Sequence, residues 1–185
     1  MRRASQHSII RAVAVAASAL TLSAVATARA SAQSIGLEAG VASVETFNGV
    51  RPNLGASLFL PLTERFRVAV GVSQWTGCPV GGCVEPRSGY GNRGLNVLGM
   101  YRTLGTDDAS LSLGAGMGWY EMNRLGEAEG EMESHYEEAF TFAAEARRSV
   151  AYNSDVYLRG ETSLPTDDSV TRWSSVRIGV DFRPF

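Results

Sequence analysis

Two thiols, a run of carboxylates, a histidine beyond the first 32 residues and a scatter of charges are the side chains here with chemistry to offer. Cys78-Pro-Val-Gly-Gly-Cys83 is the sole cysteine pair, and Gly81-Gly82 lets the chain reverse between the two thiols. On an exported chain this spacing favours a disulfide. A metal would need more ligands than two thiolates, and none stand nearby. In the segment 126–138, Glu127, Glu129, Glu131 and Glu133 recur at every second position. Extended, they share one face, and carboxylate oxygens suit hard cations or a basic partner. No calcium-loop spacing accompanies them, so a solvated, mobile acidic loop is the simpler reading. Ser134 and His135 follow directly. A base and nucleophile adjacent in sequence, with no strand to orient them, make a poor relay. No catalytic residue and no cofactor is therefore expected. The remaining charges, Glu38, Arg67, Arg102, Glu145, Arg147, Arg159, Glu161, Arg177 and Asp181, each alternate with apolar residues.

That alternation has a period of two, the signature of strands with one apolar and one polar face. Eight such segments are predicted, roughly 34–46, 53–62, 65–75, 93–104, 110–122, 139–151, 156–164 and 173–183. No amphipathic helix competes with them. Tight turns are expected at 61–65, 105–108 and 152–155. Longer connections lie at 76–92, 123–138 and 165–172, with a shorter one at 47–52. In the fourth strand Leu95, Val97 and Tyr101 compete with Leu98 and Met100 for the apolar face, leaving its register open.

The first residues read as an export signal. Arg2, Arg3 and Arg11 precede the apolar run Ala12–Val25, and Ala30-Ser-Ala32 is a small-x-small cleavage site. The expected cut follows Ala32, so that 33–185 forms one domain. The apolar run is shorter than the roughly 20 residues of a spanning helix, which disfavours an anchor. No hydrophobic pair follows Arg2-Arg3, which disfavours twin-arginine export. The whole chain has 17 basic and 19 acidic residues and no lysine. Without Arg2, Arg3, Arg11 and Arg29 the net charge is about −6. An acidic exported domain argues against nucleic acid as a partner.

Two barrels fit eight alternating strands. A lipocalin-like barrel buries its apolar face, whereas a membrane barrel turns that face outward. The polar face is rich in glycine, with Gly36, Gly40, Gly71, Gly114, Gly116, Gly118 and Gly179 beside the charges. Glycine gains nothing on a solvated face but leaves room for long ionic side chains in a narrow lumen. The aromatics sort toward strand ends. Phe47, Trp75, Tyr90, Trp119, Tyr120, Phe140 and Trp173 fall on the long-loop side, and Phe66, Tyr101, Tyr152, Tyr157, Phe182 and Phe185 on the other. Two girdles at the two interfaces are the expectation, although Trp75 has inward parity and so implies a bulge or an early strand end nearby. The charges would fill the lumen as a closed salt-bridge network rather than a gated pore or proton path, because eight strands leave space only for side chains. Arg177 and Arg147 are the candidate partners of Glu161.

The last strand, Val176-Arg-Ile-Gly-Val-Asp-Phe-Arg-Pro-Phe185, carries the strongest resemblance. With the signal, the alternation and the loop asymmetry, the chain resembles the small eight-stranded outer-membrane barrels, the OmpA/OmpX-like family, over nearly all of 34–185. The resemblance implies an all-β, eight-stranded antiparallel up-and-down transmembrane β-barrel with its termini in the periplasm. It implies contact with outer-membrane lipid and lipopolysaccharide. It also implies that Phe182 and Phe185 serve as the signal read by the outer-membrane assembly machinery; Pro184, which puts Phe185 out of phase, departs from the pattern. Some barrels of this kind modify lipid A through a His and a Ser near the membrane edge, and His135 and Ser134 do not fit that role. The implied function is a non-enzymatic envelope-structural or surface-binding barrel with a plugged polar lumen. A small-solute channel and a lipid-modifying enzyme are the alternatives.

Overall fold

The computed structural model describes residues 33–44, 50–75, 91–125, 132–167 and 172–183. They form eight strands: β1 (Ser34–Val44), β2 (Val50–Pro61), β3 (Phe66–Trp75), β4 (Gly91–Gly105), β5 (Ala109–Leu125), β6 (Met132–Ala151), β7 (Ser154–Pro165) and β8 (Trp173–Phe182). Each pairs antiparallel with its sequence neighbours, and β8 closes onto β1 through ten partners from Ile35↔Phe182 to Val44↔Trp173. Closure leaves neither β1 nor β8 as an edge. At roughly 3.3 Å per residue and a tilt near 40°, strands of this length cross roughly 25–30 Å.

The tight connections close at one end, beside the start of β1 and the end of β8. At 62–65 the Thr63 hydroxyl accepts the Phe66 amide at 3.0 Å, and the Phe66 carbonyl accepts the Leu62 and Thr63 amides at 2.9 and 3.0 Å. At 106–108, Gly105 adopts φ 93°, and a Cβ there would strike the Ala109 carbonyl. Only glycine takes that conformation freely. Thr103 is an extra residue in β4, since Arg102 pairs with Ser112 and Leu104 with Leu111. Its hydroxyl donates to the Leu111 carbonyl at 3.0 Å, anchoring the bulge.

The expected long connection at 123–138 is mostly strand. β5 runs to Leu125 and β6 starts at Met132, with the pairing continuous from Trp119↔Glu138 to Leu125↔Met132. Polar residues at alternate positions pair as a hairpin as readily as apolar ones, and only the apolar part of the pattern was visible as a strand.

Alternation decides the two faces. β8 alternates buried and exposed at every residue. Ile35, Leu37, Leu54, Val72, Leu113, Phe140, Phe142, Leu158, Val176 and Ile178 are all exposed on the outer wall. Leu60 keeps the outward parity but is buried beside the 62–65 turn. The fourth strand is settled in favour of Leu95 and Tyr101 outside, with Asn96, Leu98 and Met100 buried inside. Leu98 and Met100 join Phe59, Ala69, Ala143 and Tyr157 in an apolar cluster within the barrel.

Candidate functional site

Inward parity brings charges from five strands, β1, β3, β6, β7 and β8, into one column. Arg159 on β7 stands at its centre with a fully buried side chain. Its Nε and Nη2 donate to Glu145 Oε2 at 2.9 and 2.6 Å, and its Nη1 donates to Glu38 Oε1 and Ser57 Oγ at 3.1 Å each. Glu38 Oε1 also accepts the Tyr157 hydroxyl at 2.8 Å and the Ser57 hydroxyl. Glu38 Oε2 lies 2.6 Å from Arg177 Nη1. Arg177 is paired with Glu161 as well, and Glu161 Oε1 lies 3.6 Å from Arg159 Nη1. The Arg177 pairs are charge contacts, with no N–H lying in line for a hydrogen bond.

Toward the tight-turn end the column continues. Glu145 Oε1 accepts Arg67 and, at 3.0 Å, Arg147 Nε. Arg147 Nη1 reaches Asp181 and, at 3.2 Å, Asp155 Oδ2. Arg183, at the rim, donates to Asp155 at 2.6 Å. Thus Arg67, Arg147, Arg159, Arg177 and Arg183 face Glu38, Glu145, Asp155, Glu161 and Asp181, and the signs balance. Balance matters because an isolated buried charge costs several kcal/mol. The strand register sets Arg159 directly opposite Arg177, a repulsive pairing by itself. Glu38 and Glu161, each reaching both guanidinium groups, resolve it.

Aromatic rings support the column. Phe59 lies under the guanidinium groups of Arg147 and Arg159 at 4.5 and 5.1 Å and meets Tyr157 edge-on at 5.5 Å. A Cβ at Gly36 or Gly179 would strike Tyr157. The inward glycines therefore make room for rings more than for ionic chains.

At the opposite end Trp75, Tyr120 and Trp173 close the lumen. Trp173 meets Tyr120 and Trp75 edge-on at 4.7 and 6.0 Å. The Tyr120 hydroxyl is 3.2 Å from both Thr141 and Ser163. Between this lid and Glu161 lies a polar cavity of about 10 Å³, lined by Asn53, Ser73 and Ser175 among others. That is room for about one water.

Several expectations need correction. Trp75, Tyr120, Trp173 and Tyr157 are buried inside the barrel and belong to no girdle. No bulge surrounds Trp75, since its pairings to Asn53 and Asn92 lie in unbroken registers. It simply points inward, where an indole fills more of the lumen than any aliphatic chain. Of the expected girdle rings, Trp119, Phe140, Tyr101, Tyr152 and Phe182 are exposed outside, together with Tyr136 and Phe142. Arg102 stands apart from the column and pairs with the exposed turn residue Asp107. Glu161 pairs with Arg177 and approaches Arg159. Sequence reasoning missed Ser57, Asn96, Asp155 and Arg183. Asp155 and Arg183 carried a signal, being charges at inward parity at strand ends; Ser57 and Asn96 carried none. Cys78, Cys83, Glu127, Glu129, Glu131 and Phe185 lie outside the described residues. Glu133 and His135 lie on β6, their backbones opposite Arg124 and Met122.

No known sequence family matches the chain, and no curated protein does. Solved structures do. Neisserial surface protein A superposes with a TM-score of 0.63 at 12% identity, over 82% of this chain and 96% of its own. The N-terminal β-barrel domain of OprF from Pseudomonas aeruginosa gives 0.58 at 13%, over 80% and 96%. Ail, the attachment invasion locus protein of Yersinia pestis, gives 0.54 at 14%, over 81% and 95%, in a complex with the heparin analogue sucrose octasulfate. With its closed antiparallel sheet, apolar outer wall and charged interior, this chain has the fold of the small eight-stranded outer-membrane barrels.

Proposed function

We propose that this chain is an outer-membrane β-barrel of envelope-structural or surface-binding function, with a lumen closed to solutes and no enzymatic role. The observation that carries the reading is the inversion of the two faces. Large apolar side chains cover the outer wall, while arginines and carboxylates paired with one another fill the inside. Water would drive the opposite arrangement. A bilayer makes this one stable, and the closed sheet leaves no backbone edge in lipid.

The closed lumen weighs against a channel. Between the aromatic lid and the ion column there is space for about one water. Catalysis gains no support, because the carboxylates and guanidinium groups of the lumen are paired with one another behind that lid. The remaining variable parts are the connections at the lid end, 45–49, 76–90, 126–131 and 166–172, which are longer than those at 62–65, 106–108 and 152–153. Short turns in the periplasm and longer loops outside the cell are the usual sidedness of such barrels. On this reading residues 1–32 are a removed export signal, Phe182 and Phe185 address the chain to the assembly machinery, and a Cys78–Cys83 bridge stiffens the second outer loop.

The test is conductance. Purified, refolded protein in planar bilayers is expected to remain silent, and lipid A from cells with and without the protein is expected to have the same mass. Steady, ohmic, ion-selective current would move the function to a channel. A change of lipid A acylation would move it to an enzyme.

A further inference from the structure

The outer wall carries an open, shallow concavity of about 750 Å³, spanning β2 to β6 near the lid end. Its floor is apolar, formed by the outward row Ala56, Val72, Leu95 and Trp119, which the strand registers place side by side. The next row toward the lid end is polar. Gln74 pairs with Arg93, Arg93 with Glu121, and Glu121 with Tyr136. The concavity therefore straddles the boundary between hydrocarbon and headgroup, the depth that Trp119 and Tyr136 would favour. Among the described residues Arg93 makes no ion pair, although Glu121 stands opposite it, and Glu138 follows beside Trp119. One cation and two carboxylates are thus held on the rim without partners on the barrel wall.

We infer that this concavity binds one zwitterionic, amine-bearing glycerophospholipid. An acyl chain lies over Val72, Leu95 and Trp119, the phosphate meets Arg93, and the ammonium lies between Glu121 and Glu138. The mixed rim selects the headgroup. A guanidinium takes a phosphate in a forked, charge-assisted geometry, and two carboxylates repel a lipid that brings phosphates alone. The inference rests on the membrane reading above.

The full chain is folded in detergent and exposed to equal amounts of phosphatidylethanolamine, phosphatidylglycerol and lipid A, and the retained lipids are weighed by native mass spectrometry. Retention of phosphatidylethanolamine is expected to exceed that of phosphatidylglycerol by about tenfold, the size of one charge-assisted contact. Arg93→Gln and Glu138→Gln should each remove most of that preference, and Arg93→Lys should restore part of it relative to Arg93→Gln. Both positions face outward, so each variant should keep the parent's shifted migration on an unboiled gel. Indifferent retention of all three lipids, or a preference for lipid A that survives Glu138→Gln, overturns the inference and leaves the membrane reading standing. A parent that shows no shifted migration overturns both.

Discussion

At the scale of single residues the lumen behaves as one electrostatic unit. Glu38 holds four partners, Ser57, Tyr157, Arg159 and Arg177, and Arg159 bridges Glu38 to Glu145. Removing one member leaves its partners charged and unpaired at low dielectric, which costs roughly 3–5 kcal/mol, whereas removing a matched pair by apolar groups of similar size is close to neutral. Glu161→Gln is therefore expected to lower the denaturation midpoint clearly. Arg177→Met in the same chain should return part of the loss, as a double-mutant cycle by urea unfolding in detergent would measure. Equal and additive losses would show that the two side chains do not act together. Arg102 supplies the contrast. Its pair with Asp107 is exposed, so Arg102→Ala should cost no more than about 1 kcal/mol in the same assay.

At the scale of elements, parity and turn chemistry govern. Val70 and Leu113 face outward on β3 and β5, and an arginine at either position would sit in hydrocarbon at a cost of roughly 2–4 kcal/mol. Val70→Arg and Leu113→Arg should fail to reach a heat-resistant folded form, while Gln74→Arg, in the polar row, should fold. Equal folding of all three would contradict a lipid-facing wall. Gly105→Ala should weaken the 106–108 turn by about 1 kcal/mol or more, because its φ is positive and a Cβ meets the Ala109 carbonyl. This scale is also where the sequence was most legible. Eight strands and three tight turns followed from period two and turn residues, because the two barrel faces differ sharply in polarity. The lumen was less legible. Parity places Trp75, Tyr120, Tyr157 and Trp173 inside, but an aromatic near a strand end reads equally well as an interface ring. Which carboxylate meets which guanidinium depends on the stagger between strands, and Arg159 opposite Arg177 could not be inferred from either strand alone. Asn96 and Ser57 looked like ordinary strand residues. They matter through Glu161, which approaches Asn96 from across the barrel, and Glu38, which approaches Ser57 from the neighbouring strand.

At the scale of the whole molecule, an apolar wall and an ionic, lidded interior make one claim: the chain folds around its charges inside a membrane. Sidedness follows from the same account. With Cys78 and Cys83 replaced by serine, a cysteine at Glu129 should react with an impermeant maleimide on intact cells and one at Asp107 should not; the reverse pattern would invert the orientation. The most direct test of the central claim is the migration of the membrane-fraction protein on a denaturing gel, with and without boiling, alongside Val70→Arg. A lipid-dependent closed barrel resists the detergent until heated, so the unboiled parent should run at a shifted position, boiling should abolish the shift, and Val70→Arg should run as unfolded in both lanes. A parent that runs identically boiled and unboiled, and that folds equally well in buffer without detergent or lipid, would contradict the account.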